Sequence, residues 1–215
     1  MGLEIHWDFA FKGTWQEAKA TLERIRFQAK NLPLAELGEV RPIPHDYNNC
    51  AEIDRWAAIH YQERRSLSGK CPNHPAEDGR KAKCYCSIHV NPVEGYYFSA
   101  WPGEGCESME IGLARYRRGR VWKGSAFCKT QYSEDFFQAH QLVIALLDIC
   151  KAEGILKSVD DDGDYWQTRD LGKLAVAIGE YTALVSGISR QLQTIFGAEN
   201  VGGAAIEELQ KLQLT

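Results

Sequence analysis

The chain has 215 residues, of which 44% are hydrophobic and 25% charged, with six Trp and a formal net charge of −4. That is the composition of an ordered globular protein with a substantial core, and it excludes a long disordered or low-complexity tract. A mildly acidic balance argues against nucleic acid or an anionic membrane as partner, and no apolar run approaches the ~18 residues of a membrane span.

The opening MGLEIHWDF alternates polar and apolar residues instead of presenting the charged and apolar regions of a signal peptide, so the expected location is cytoplasmic. Seven cysteines, with Cys50, Cys106, Cys128 and Cys150 scattered singly, fit reduced thiols better than a secreted disulfide framework. Leu3, Ile5, Trp7, Phe9 and Phe11 form one face of a first strand, with Glu4, His6 and Asp8 on a polar opposite face. Thr14 and Glu17 make a capping box for a helix whose stripe is Ala18, Leu22, Ile25 and Ala29, closed by Pro33. A weaker strand is predicted over Leu37 to Ile43, then a helix from about Ala51 to Arg65 with Ile53, Trp56, Ala57 and His60 on its apolar side.

From Gly95 the period changes to that of strands: GYYFSAW, MEIGLARYRR and RVWKGSAFCKTQY form an antiparallel meander. Ser133 is placed to cap a helix with the stripe Phe136, His140, Val143, Leu147 and Cys150, stopped by Gly154 before a short strand at Ile155 to Val159. After DDDGD a long helix begins near Asp170, with Leu171, Leu174, Ile178, Tyr181, Val185, Ile188, Leu192 and Ile195 in a heptad seam. That seam either crosses the domain or pairs with a second copy as a homodimer. The expected architecture is α+β, a mainly antiparallel sheet covered by helices with a long C-terminal helix. It forms a single domain over 1–197 with a metal-loop insertion at about 66–94, then a flexible break and short terminal helix over 198–215.

The segment Cys71, His74, Cys84, Cys86 and His89, read as C-x2-H-x9-C-x-C-x2-H, supplies more than the four ligands a tetrahedral zinc ion needs. The neighbouring Lys70, Arg80, Lys81 and Lys83 favour thiolates, and zinc here would be structural; the plain alternative is a surface loop of reduced cysteines. The turn WPGEGCESME brings Glu104, Cys106, Glu107 and Glu110 together, but its carboxylates would repel a phosphate, so nucleotide binding is rejected there. Cys128 leads into the helix that carries His140, which admits a nucleophile and base, with Glu104 as orienting or acid group; a buried thiol and a core histidine are the commoner explanations. Asp160 to Asp164 lack the ligand order of a calcium loop, and the basic tip Arg115, Arg117, Arg118, Arg120 and Lys123 around Gly119 reads as a solvated hairpin end.

In the motifs WPGEGCE and SAFCKTQY, with EIHWDFAFKGT and GDYW, the chain resembles members of an uncharacterised bacterial family over most of its length. The resemblance implies no activity or cofactor, but it singles out Trp101, Glu104, Cys106, Cys128, Lys129, Gln131, Tyr132 and Trp166 as a shared pocket. No complete catalytic signature accompanies the surplus of Trp, Tyr and carboxylates. The expected function is therefore a non-enzymatic binding or interaction protein for a small molecule or protein, with a polar-aromatic pocket on the open sheet face and a zinc-stapled loop. A small hydrolase or transferase using Cys128 and His140 is the alternative.

Overall fold

The computed structural model describes residues 3–44, 51, 57, 60–66, 87–117, 119–131, 133 and 135–179, with the backbone alone at 63–66 and 87–89. Strand β1 (Glu4–Phe11) sits inside a seven-stranded antiparallel sheet with β2 (Glu36–Leu37), β3 (Arg41–Pro42), β6 (Glu94–Trp101), β7 (Met109–Arg115), β8 (Trp122–Lys129) and β9 (Leu156–Asp161). The order is β2-β6-β7-β8-β1-β9, with β3 also on the free edge of β6. A separate hairpin joins β4 (Glu63–Ser66) to β5 (Ser87–Val90).

The period of two in β1 decides which face is covered. Ile5, Trp7 and Phe9 are buried under α1 (Trp15–Ala29) and α2 (Phe136–Ala152), in one core with Ile111, Leu113 and Leu147. Helix α1 starts as its sequence dictates: Glu17 N donates to Thr14 Oγ1 at 3.3 Å and Thr14 N donates to Glu17 Oε2 at 2.7 Å, satisfying two amides that lack helical acceptors. The cap of α2 is Asp135 in place of Ser133, because the Asp135 carboxylate accepts from Gln138 N at 2.9 Å while Ser133 N closes a turn on Thr130 O. Gly154, at φ 76°, ends the helix in the left-handed region where a side chain is strained.

On the opposite face the described residues cover the sheet over only part of its width. Ile43, Ala57, Tyr61, Tyr97 and Ala114 form a second cluster over β6 and β7. Gly112 makes room for it: a Cβ there would lie 2.5 Å from the Tyr61 hydroxyl, which donates to Glu110 O at 3.1 Å. Over β8, β1 and β9 this face carries one aromatic and five polar side chains, in rows fixed by register: Phe127, His6 and Asp160, then Ser125, Asp8 and Ser158.

Three further expectations change. The helix predicted to run to Arg65 gives way to a strand by Glu63, since Glu63–Ser66 pairs with the distant Ser87–Val90; residues 57 and 60 are helical. The strand predicted over Leu37 to Ile43 divides into β2 and β3, with Gly38 between them donating its N–H to Ser99 O at 2.8 Å. The long C-terminal helix is described over 171–179 only, where Leu174 is buried and Leu171 exposed; the rest of the heptad seam and the terminal segment lie outside the described residues. Before it, the DDDGD turn leads into a single helical turn, α3 (Tyr165–Thr168), flanked by Asp164 and Arg169 in left-handed conformation. Among the described residues no helix is long and apolar enough to cross a membrane.

Candidate functional site

Cys106 and Cys128 meet. Cys128 faces the helices from β8, and Cys106 reaches it from the turn between β6 and β7, with Sγ to Sγ 3.7 Å. The Cys128 thiol donates to Glu107 O at 3.1 Å, and that of Cys106 to Lys129 O at 3.4 Å. The contact with Cys106 and burial together push the Cys128 thiol well above its ordinary pKa, with Glu107 and Glu110 adding repulsion. This sulfur is held protonated and away from water, the opposite of an activated nucleophile.

His140 belongs to a different set of contacts. Its Nδ1 lies 3.2 Å from Thr130 Oγ1, and its Nε2 lies 3.2 Å from Asp161 Oδ1, an ion-pair distance that is off the hydrogen-bond axis; both side chains are sealed from solvent. Asp161 also accepts from Gly163 N and Trp166 N, each at 2.8 Å. Burial pushes its carboxyl up, but the His140 contact and these two amides outweigh it and leave the pKa lowered. Register places Cys128 and Asp161 on opposite sides of Ile5, two strand spacings or about 10 Å apart. The structure therefore gives Cys128 and His140 separate partners, and Glu104 stands exposed on its turn without joining either.

The residues proposed as one pocket divide in the same way. Cys106 and Cys128 share the thiol contact, and Trp101, half-buried, pairs with Glu36 at the other edge of the sheet. Lys129 turns to the open face, where its Nζ is 3.4 Å from Glu4 Oε1 and 5.5 Å from the Phe127 ring centre. Trp166 stacks between Lys151 and Arg169 beside α2, and the Gln131 side-chain oxygen is buried at the end of β8. Tyr132, Cys71, His74, Cys84 and Cys86 lie outside the described residues, and His89 contributes its backbone to β5. Among the described residues no group of three or more His, Cys, Asp or Glu is placed to hold a metal.

A sizeable recess among the described residues lies on the open face of the sheet, where the sequence led to a polar-aromatic pocket but named other residues for it. A groove of 620 Å³ runs between β1 and β8 on one side and His60, Gln62 and Tyr116 on the other, with Lys123, Ser125 and Lys157 at its rim. A second hollow of 340 Å³ shares Asp8 and Ser125 with it and continues over His6, Ser158 and Asp160. Phe127 lies between two imidazoles, with its ring centre 5.4 Å from that of His6 and 5.3 Å from that of His60. Glu4 holds this end together, its Oε2 2.9 Å from His6 Nε2. Burial pushes the His60 pKa down, which favours the neutral ring, a stacking and hydrogen-bonding group in place of a cation.

Comparison with protein-family models, with curated proteins and with solved structures finds no match. The functional reading rests on the geometry of the site.

Proposed function

We propose that this chain is a binding protein without catalysis of its own, and that the groove over β8, β1 and β9 takes a small ligand with a planar ring and an acid group. The observation that carries the reading is the uneven cover of this face among the described residues. Over β6 and β7 it is closed by an apolar cluster, whereas next to it aromatic, imidazole and lysine side chains line a recess within the ~300–1,000 Å³ range of ligand pockets. Tyr116 and His60, the latter backed by Phe127, offer π surfaces, Lys123 and Lys157 an attraction for an acid, and Asp8, Gln62 and Ser125 the few polar groups that orient a ligand. The buried, protonated Cys128 and the separately held His140 supply no nucleophile and base to this recess. A structural zinc staple held by Cys71, His74, Cys84, Cys86 and His89 belongs to the same proposal.

The test is a thermal-shift screen of aryl carboxylates and aryl phosphates against the natural chain and a Ser125→Trp variant. Ser125 is an exposed lining residue of the groove, so an indole there blocks the recess without entering the core. Compounds that raise the melting temperature of the natural chain and not of the variant support the reading. Compounds that stabilise both equally, or none that stabilise either, contradict it.

A further inference from the structure

We propose that Cys106 and Cys128 form a reversible disulfide when the protein meets a peroxide, tying the β6–β7 turn to the end of β8. The two sulfurs are already in contact at 3.7 Å, from residues 22 apart in the chain, and no other group separates them. Closing to bonding distance asks for a movement of less than about 2 Å. The side able to move is Cys106. It sits on a turn with Gly103 and Gly105, the latter at φ 76°, and its own amide donates only a long bond of 3.2 Å to Gly103 O. Cys128, by contrast, is fixed in a central strand.

The two thiols differ in a way that orders the chemistry. Cys106, 9% exposed, is at the margin of the core, while Cys128 is fully enclosed and its thiol is held protonated. The Cys106 sulfur attacks the peroxide: an S–O bond forms, the O–O bond breaks, and water leaves with the thiol's proton, giving a sulfenic acid. The Cys128 thiol, unable to ionise in advance, attacks that sulfur only as its proton passes to the departing hydroxyl: the S–S bond forms, the S–O bond breaks, and the hydroxyl leaves as water with the Cys128 proton. Two thiols and one hydrogen peroxide become one disulfide and two waters, a balanced two-electron oxidation, and the nearby second thiol stops the first from reaching sulfinic acid. Both thiols give up their hydrogen bonds to Glu107 O and Lys129 O; Lys129 O still accepts from Glu107 N at 3.3 Å, so the turn stays docked. This inference does not depend on what the groove binds.

The experiment treats the folded chain with hydrogen peroxide, alkylates remaining thiols after denaturation, and maps non-reduced tryptic peptides. Cys128 lies in the short tryptic peptide 124–129, and a second digestion after glutamate, at Glu94 and Glu104, separates Cys106 from Cys84 and Cys86, which share its tryptic peptide 84–115. The expected result is that peptide linked to the one containing Cys106, released by dithiothreitol, with Cys150 still a thiol as the internal control for a folded core. Oxidation should also raise the melting temperature, by roughly 6–12 °C on the loop-closure scale, and a Cys106→Ala variant should lose this rise. Recovery of Cys128 as a free thiol while Cys106 is oxidised to sulfinic acid, or linkage of Cys128 to any other cysteine, overturns the proposal. The peptide map of the natural chain decides this even if the variant does not fold.

Discussion

Asp161→Asn should be among the most damaging single-atom changes to this fold. The carboxylate is enclosed, accepts from Gly163 N and Trp166 N at 2.8 Å, and faces His140 Nε2 at 3.2 Å. Asparagine keeps one acceptor oxygen, loses one charge-assisted hydrogen bond, and turns an NH2 group toward a neighbour that also presents donors. A charge-assisted bond contributes about 1.5–3 kcal/mol and removal of one partner from a buried pair costs about 3–5 kcal/mol, so the expected loss is about 3 kcal/mol at pH 7. In a chain of this size that lowers the melting temperature by roughly 6–12 °C in a thermal scan, and a guanidinium titration reads the free-energy loss itself as a lower midpoint with an unchanged slope. The pH dependence carries a sign. Because the folded-state pKa is lowered, the stabilisation is fully present above the unfolded-state value of about 3.9 and is lost as pH falls through the folded value. The gap between the natural chain and the variant should stay constant from pH 7 to about 4.5 and close only below that. A loss under about 1 kcal/mol, or a gap that closes between pH 6 and 5, would refute the assignment of Asp161 as a charged clamp on α3 and α2.

Gly124→Ala should cost about 2 kcal/mol or more in chemical denaturation, since its Cβ would fall 2.2 Å from Gly112 O, a backbone atom that cannot swing away; Gly179→Ala, with nothing within 4 Å, should be neutral or stabilising. Equal effects at the two glycines would contradict the close approach of β7 and β8. Protein purified without chelator or affinity tag should contain about one zinc per chain, absent from a Cys71→Ser/Cys86→Ser variant. Metal-free natural protein would remove the staple.

What was legible in the sequence was local. The alternation of Leu3 to Phe9, the Thr14 and Glu17 capping box and the meander from Gly95 each depend on neighbours a few residues apart, and each is found as expected. The strand at Glu63–Ser66 was not legible because ERRS has no strand pattern of its own; it is extended because Ser87–Val90 lies alongside, and such pairing overrides local preference. Ser133 and Asp135 are both good caps, and only the geometry of the Thr130 turn decides between them. The contact of Cys106 with Cys128 was not read from the sequence, and Trp166 was grouped with them although it packs on α2, because spacing along the chain does not report which strands become neighbours. The groove escaped for the same reason. His6, Asp8, Ser125, Phe127 and Ser158 come from three strands, and only the register of β9 against β1 places them in rows.

The most direct test of the groove as the binding surface is a two-dimensional amide NMR titration of the natural chain with the best-stabilising aryl carboxylate or aryl phosphate from the screen. The account predicts saturable shifts concentrated at Asp8, His60, Lys123, Ser125 and Lys157, and their loss in Ser125→Trp. Shifts confined to the Cys106 turn or to α2, with the groove amides unmoved, would contradict it.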